Sequence, residues 1–322
     1  MRSKLKICRG GAVTSPRIVV VGSANTDLVV QVDRLPTPGE TVLGGDLITT
    51  QGGKGANQAV AAARLGAEVT FVARIGGDAF GGETLEALRR EGLDVRYVAQ
   101  DPEAPSGVAM IVVGPGGQNL IAVAPGANRR LSGADVEASR AAFEGAGVVL
   151  IELETPVEAG LVAARLGREA RATVILNPAP APSVPLPDAL FEAVDILTPN
   201  ETEAAVLSGE TSPERAAEVL LGRGVETVIV TLGEAGALVA TRSDPAQRAP
   251  GFRVEAVDAT AAGDAFNGGL AVALGRGEPL MKAVRYAHAV AALTVTQLGA
   301  QPSLPTAAEV EAFLKNEGGA FN

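Results

Sequence analysis

From residue 17 onward, short and mainly apolar runs alternate with longer amphipathic or alanine-rich stretches. The runs fall at 18–21, 69–73, 148–151, 173–176, 195–197 and 228–230. A strand with one wet face alternates apolar and polar side chains, whereas a strand apolar throughout is covered on both faces. The pattern predicts an α/β fold in three layers, a mostly parallel sheet flanked by helices on each side. Two helix starts carry the spacing of capping boxes, Thr155-Pro-Val-Glu158 and Thr306-Ala-Ala-Glu309. The alanine-rich segment from Val60 to Leu65 reads as a helix that ends before Gly66.

Two segments, 28–51 and 107–124, break the alternation and read as β-hairpin material inserted in the α/β chain. In the second, Val108, Met110 and Val112 alternate with Ala109, Ile111 and Val113, so both faces of a short strand pair are apolar. Such a pair does not stand alone in water and needs a cover. Residues 1–16 are basic and lack an apolar core long enough for a signal peptide, and they read as a disordered extension. The remainder, 17–322, reads as one large domain carrying the small insert. No run of about 18 apolar residues occurs, so no membrane-spanning helix is expected.

Composition narrows the chemistry by exclusion. A chain of 322 residues that is 47% hydrophobic can bury a sizeable core, and its formal charge of −10 argues against partners that need basic patches, nucleic acid and anionic membranes. A single cysteine, Cys8, and a single histidine, His288, leave no intramolecular disulfide and no multi-Cys/His zinc site. A reducing cytoplasm is the expected compartment. An anionic substrate would have to be met by local groups, backbone amides and metal.

Three motifs supply such groups. Residues 258–270 read Asp-Ala-Thr-Ala-Ala-Gly-Asp-Ala-Phe-Asn-Gly-Gly-Leu: small residues and two carboxylates run into an apolar helix. Ala261, Ala262 and Gly263 have almost no side chain, so the N–H groups at the helix start can approach a phosphate, and Asp264 sits where an attacking hydroxyl would arrive. Residues 52–59 read Gly-Gly-Lys-Gly-Ala-Asn-Gln-Ala; the glycine pair lets a sugar ring lie against the main chain, and Asn57 can both donate to and accept from vicinal hydroxyls. Gly55 follows Lys54 where a Walker A loop has Ser or Thr. Residues 198–204 read Thr-Pro-Asn-Glu-Thr-Glu-Ala after an apolar run, which puts carboxylates at a strand's C-terminal end, where magnesium can be held through water. Each motif alone also reads as an ordinary capped helix start or glycine turn.

Taken in order, the motifs resemble the ribokinase-like family of carbohydrate and nucleoside kinases. The likeness runs from Ile18 to Leu314, through Gly-Ser-Ala-Asn-Thr-Asp at 22–27, Pro-Thr-Pro-Gly-Glu-Thr at 36–41, the 52–57 glycines, Asn-Pro-Ala-Pro at 177–180, 198–203, Thr-Leu-Gly-Glu-Ala-Gly at 231–236, 258–268 and Gly-Ala-Gln-Pro-Ser at 299–303. The resemblance implies ATP-dependent transfer to a sugar hydroxyl, with ribose and its 5-hydroxyl the first expectation; deoxyribose, another sugar or a nucleoside is the alternative acceptor, and a catalytically silent sugar binder the alternative class. It implies that Asn25, Asp27, Gly53, Lys54, Asn57 and Glu154 hold the sugar, that Asp264 is the base, and that Ala261, Ala262 and Gly263 form an anion hole. Asn200, Glu203, Thr231, Gly233, Gly236 and His288 fall at the nucleotide, Glu203 also beside magnesium. Asp258, Thr260, Thr294, Gln297, Gly299 and Ser303 fall on a loop for an activating potassium ion. The strands of 28–51 and 107–124 become a small β-sheet lid over the sugar that clasps a second subunit, giving a homodimer. At a helix N-terminus the Asp264 carboxylate is expected to have a lowered pKa.

Overall fold

The computed structural model describes residues 15–318. Apart from Ser15 and Pro16, the extension expected over 1–16 lies outside the described residues, as does Cys8. Among the described residues thirteen strands form two sheets: β1 (Arg17–Val21), β2 (Asn25–Gln31), β3 (Ile48–Gly52), β4 (Glu68–Gly76), β5 (Asp94–Asp101), β6 (Gly107–Val113), β7 (Asn119–Ala124), β8 (Val148–Ile151), β9 (Thr173–Leu176), β10 (Ile196–Leu197), β11 (Thr227–Thr231), β12 (Ala237–Thr241) and β13 (Gln247–Ala249). The large sheet has the order β13-β12-β11-β10-β9-β8-β1-β4-β5 and the small one β3-β2-β6-β7. In the large sheet only the β11–β12 and β12–β13 pairs are antiparallel.

Alternate residues of the central strands feed two separate cores. Ile18 and Val20 face a core completed by the helices Lys54–Arg64, Ala262–Gly275 and Leu280–Thr294, while Val19 and Val21 face one completed by Val157–Glu169, Asp188–Ala193 and Pro213–Gly222. Burial of both residue sets is why these strands are apolar throughout: each face removes its own side chains from water.

The three helices of the first core pack closely because the middle one carries glycines on its contact faces. A Cβ on Gly268 would lie 2.6 Å from the Ala61 methyl, and one on Gly269 would lie 3.1 Å from the Ala287 Cα. This close approach sets the separation of Asp264, one turn before Gly268, from the helix that bears Asn57 and Gln58.

The small sheet differs in detail from the expected hairpins. Its first strand starts at Asn25, before the expected 28, so Asn25 and Asp27 stand on a sheet strand. At its centre β2 and β6 run parallel, from Asn25 opposite Gly107 to Gln31 opposite Val113. β3 and β7 flank them in antiparallel pairing. The capping box expected at Thr155 does not form. Pro156 is the N-cap of Val157–Glu169 and makes no side-chain cap, which leaves Thr155 one position too early, its hydroxyl buried without a partner among the described residues. The box at Thr306 does form, with Thr306 N donating to Glu309 Oε2 (2.7 Å) and Glu309 N donating to Thr306 Oγ1 (3.4 Å).

Candidate active site

Five parallel strands deliver polar residues to one edge. Ser23 follows β1, Glu152 and Glu154 follow β8, Asn177 follows β9, Thr198 follows β10, and Thr231 ends β11. From β1 the chain builds outward one way through β4 and β5, and later the other way from β8 to β13. Ligands of open α/β sheets bind in the crevice at such a reversal, beyond the strands' C-terminal ends.

Asp264 is the third residue of Ala262–Gly275 and is 5% exposed. Its Oδ2 accepts from Asn57 Nδ2 (2.9 Å) and its Oδ1 from Gln58 Nε2 (3.1 Å). Burial raises its pKa, against the opposing pull of Lys54 and of the two amide donors. The lowered value expected from the helix terminus is therefore corrected: loss of water around the carboxylate outweighs the charges and dipoles that favour its ionised form. Lys54 is affected reciprocally, with the nearby Asp264 charge holding its ammonium above the usual lysine range.

On the other side of Lys54 lies a second cluster. Glu154 Oε2 accepts from Ser23 Oγ (2.6 Å), Lys54 N (3.2 Å) and Asn25 Nδ2 (3.4 Å). Asn25 is fixed from behind by Asn128, whose Nδ2 donates to Asn25 Oδ1 (2.7 Å). Asp27 is 7% exposed and its carboxylate accepts no hydrogen bond from the described residues. Burial first, then the charges of Glu154 and Asp264, push its pKa up to about 7. Its carboxylate lies over Gly52, where a Cβ would strike both oxygens. Gly53, at φ +89°, passes against the backbone of Ala24 and Asn25, so the glycine pair presents bare main chain beside these acids. A buried carboxylate that accepts no hydrogen bond from the described residues is costly and is placed to accept hydrogen bonds from the hydroxyls of a ligand.

Asp264 itself lines a cavity of about 200 Å³, together with Lys54, Asn200, Glu203, Thr231 and the turn from Ala261 to Gly263. Ala261 sits in the left-handed region at φ +60°, a conformation that costs an L-residue about 1–2 kcal/mol. That turn ends the loop and starts the helix: Ala262 N donates to Ala259 O (3.3 Å), while the N–H groups of Gly263 and Asp264 have no backbone acceptor among the described residues and lie at the start of the helix that borders the cavity. A Cβ on Gly263 would meet nothing within 4 Å. Asn200 and Glu203 cap one another, Glu203 N donating to Asn200 Oδ1 (2.8 Å) and Asn200 N to Glu203 Oε2 (2.9 Å). Burial raises the Glu203 pKa.

Other expected residues stand apart from this cavity. Gly233 and Gly236 shape the turn between β11 and β12, Gly236 N donating to Gly233 O (3.1 Å). His288 is buried on Leu280–Thr294 with its ring 5.2 Å from that of Phe266, and burial lowers its pKa to about 4. Neither ring nitrogen makes a well-formed hydrogen bond among the described residues, although the Pro250 backbone lies near enough to oppose part of that lowering. Of the expected cation loop, Asp258 gathers two members: Oδ1 accepts from Thr260 N (2.9 Å) and Thr260 Oγ1 (2.6 Å), and Oδ2 from Gly299 N (2.8 Å). Thr294 and Ser303 instead turn their hydroxyls to carbonyls of their own segments, Val290 O and Ala300 O. Gln297 follows the helix end, its N donating to Thr294 O (3.2 Å).

Sequence reasoning gave no role to Ser23, Glu152, Gln58, Asn128 or Asn267. Glu152 is 1% exposed and accepts from the backbone N–H groups of Ser23 and Glu154, so it ties the β1 exit to the β8 exit; burial raises its pKa. Gln58 stands inside a quoted motif, and its adjacency to Asn57 was the available signal. Ser23 and Asn267 also stand inside quoted motifs, but their partners Glu154 and Thr198 lie 131 and 69 residues away, and Asn128 and Glu152 bond residues 104 and 129 away, which no local pattern records.

Comparison with known proteins bears on this geometry. The model of the pfkB family carbohydrate kinases matches residues 15–307. The ribokinase of Haemophilus influenzae is 42% identical over 304 residues, covering 93% of this chain and 98% of that protein. The deoxyribokinase of Salmonella typhi is 36% identical over 302 residues, covering 92% and 98%. A solved structure of Arabidopsis thaliana ribokinase complexed with ribose and ATP superimposes with a TM-score of 0.84 at 35% identity, covering 94% of this chain and 99% of that one.

Proposed function

Because the chain belongs to the pfkB family of carbohydrate kinases, we propose that it transfers the γ-phosphoryl group of ATP to the 5-hydroxyl of ribose. The observation that carries this reading is the place of Asp264, held by Asn57 and Gln58 in the lining of a cavity bordered by a helix N-terminus and close enough to Asp27 and Glu154 for their charges to act on one another.

In this reading Asn25, Asp27, Glu154, Lys54, Asn57 and the Gly53 backbone hold the sugar. Its reacting hydroxyl meets Asp264, which takes the proton as the oxygen attacks phosphorus. Phosphoryl transfer proceeds through a loose transition state in which positioning and charge stabilisation dominate. The N–H groups at Ala261, Ala262 and Gly263 then face charge that develops on the transferring group, and Lys54 adds a cation beside it. The raised Asp264 pKa serves a base better than a lowered one, since the proton is more readily held once taken.

Asn200, Glu203, Thr231 and the turn at Gly233 and Gly236 border the nucleotide's place. The burial of His288 against Phe266 supports packing at the edge of that region more than direct contact. Magnesium would enter with the triphosphate and neutralise its charge; among the described residues no group of three Asp, Glu, His or Cys side chains is arranged to hold a metal ion by itself. Glu203 offers a carboxylate in the cavity lining and would hold the ion through water. The loop tied by Asp258 supplies hard oxygen donors suited to potassium, and ordering it would steady the strained turn at Ala261. The exposed apolar side chains of the small sheet, Ile48, Met110, Leu120, Ile121 and Val123, support a homodimer in which two lids cover each other.

The test is ADP release with ATP and magnesium across ribose, deoxyribose, fructose and several nucleosides, with and without potassium. Ribose turnover that rises with potassium is expected. Preference for a nucleoside, or no turnover with any acceptor, overturns the reading.

A further inference from the structure

Gln58 is fully buried on Lys54–Arg64, and its Nε2 donates twice, to Asp264 Oδ1 and to Asn177 Oδ1, each at 3.1 Å. Asn177 in turn donates through Nδ2 to the main-chain carbonyl of Thr198 (3.1 Å). A carbonyl can only accept, so Asn177 must turn its NH₂ toward Thr198 and its oxygen toward Gln58. Gln58 must then present its own NH₂, and the second hydrogen of that group is left for Asp264. A reversed Gln58 amide would set its oxygen against the Asn177 oxygen and the Asp264 carboxylate together.

The same strand end reaches the helix start by a second route. Thr198 Oγ1 donates to Asn267 Oδ1 (2.7 Å), and Asn267 Nδ2 donates to Gly263 O (2.8 Å). The exit of β10 thus fixes both the carboxylate at 264 and the backbone one residue before it.

We propose that Gln58 is a positioning residue for the Asp264 carboxylate, its donor orientation dictated by the Thr198 carbonyl through Asn177. The proposal rests on the reading of Asp264 as the base. With Asn57 alone, one oxygen would be fixed and the carboxyl plane could still swing; donors on separate oxygens fix that plane. Catalytic geometry of this kind depends on a buried supporting network. Besides these amides, the charged groups acting on Asp264 are Lys54 and Glu154, and its own charge is felt by Asp27 and Glu203.

The experiment compares Gln58→Met, Asn177→Ala and Asp264→Asn, measuring kcat and KM at saturating ATP and magnesium over a range of pH. Saturating sugar keeps Asp27 engaged, so the kcat profile reports groups in the loaded enzyme. Gln58→Met should lower kcat roughly tenfold with sugar KM little changed. The acid limb should move up by about one pH unit, because the carboxylate loses a donor that favours its charged form. Asn177→Ala should move the limb in the same direction by less, since Gln58 stays but is free to turn. A Gln58→Met enzyme with unchanged kcat and acid limb, beside an inactive Asp264→Asn, overturns the proposal while leaving the base in place. Should Gln58→Met fail to fold, an unmoved limb in Asn177→Ala overturns it equally. An active Asp264→Asn enzyme removes the base reading itself and this proposal with it.

Discussion

Asn57 Nδ2 donates to Asp264 Oδ2 across 2.9 Å, joining residues 207 positions apart in the chain. The contact sits where the glycine-faced helix Ala262–Gly275 presses on Lys54–Arg64, so the helix packing of the core and the geometry of the acid are one arrangement.

Replacing that acid separates transfer from binding. Asp264→Asn keeps the shape and the volume, and it should lower kcat roughly 10²- to 10⁴-fold while sugar and nucleotide still bind. Steady-state ADP release with calorimetric titration of each ligand checks both halves; near-normal turnover would be the contrary result.

Gly263 separates folding from the anion hole. A Cβ there meets nothing within 4 Å, so Gly263→Ala should unfold no lower than the parent protein in a thermal scan. The same methyl lies where a phosphate would approach the helix start, and kcat should fall at least about tenfold. Full activity in this variant would argue that the phosphoryl group passes elsewhere.

Asp27 gives the ligand-free protein a pH dependence. A folded-state pKa of about 7, against 3.8 for the unfolded carboxylate, means that the folded form binds the extra proton between these values. Stability from this group is therefore present below pH 3.8 and lost as pH rises through about 7. Asp27→Asn should raise the melting temperature at pH 8 and leave it nearly unchanged at low pH, while sugar KM rises roughly 10- to 100-fold. A difference in melting temperature that is the same at all pH would contradict the buried, unpaired state of this carboxylate.

Two glycines should respond with opposite signs. At Gly55 a Cβ would lie 2.6 Å from Ser23 N and 2.7 Å from Gly22 Cα, backbone that cannot step aside. Gly55→Ala should destabilise by about 2–3 kcal/mol. Gly82, within Ala79–Arg90, has open space around its missing Cβ, and Gly82→Ala should stabilise by about 0.5–1 kcal/mol through helix propensity. Denaturant unfolding of both variants makes the comparison.

The small sheet carries a prediction of assembly. Ile121 and Val123 are about half exposed, at 55% and 48%. Changing both to Glu should shift a dimer to a monomer in light scattering and loosen sugar binding. A parent protein that is already monomeric would remove the proposed lid interface.

The sequence made the large sheet legible where strands are buried on both faces, as at 173–176, which coincide with β9. It missed β5, an edge strand that includes the polar Asp94, Arg96, Gln100 and Asp101, and it missed β13 and the buried β12, which return antiparallel after the turn at 231–236. It placed Thr155 as a cap because spacing cannot show that the helix begins one residue later, after Pro156. The acids at 27 and 264 could be picked out from their motifs, but their ionisation could not. The sign of the Asp264 shift depends on how much water the folded chain removes, and that is fixed by helices far apart in sequence.

Asn25 and Asp27 belong to the small sheet, whereas Asp264, Asn200, Glu203 and the turn at Ala261 hang from the large one and its helices. Part of the proposed acceptor set is thus carried by the small sheet, while Lys54, Asn57 and Glu154 share the large sheet and its helices with the groups that would handle phosphate. A combinatorial library confined to β2, β3 and β6 would explore new acceptors against an unchanged phosphoryl donor site, which makes this small sheet the natural cassette for redesigning what the enzyme phosphorylates.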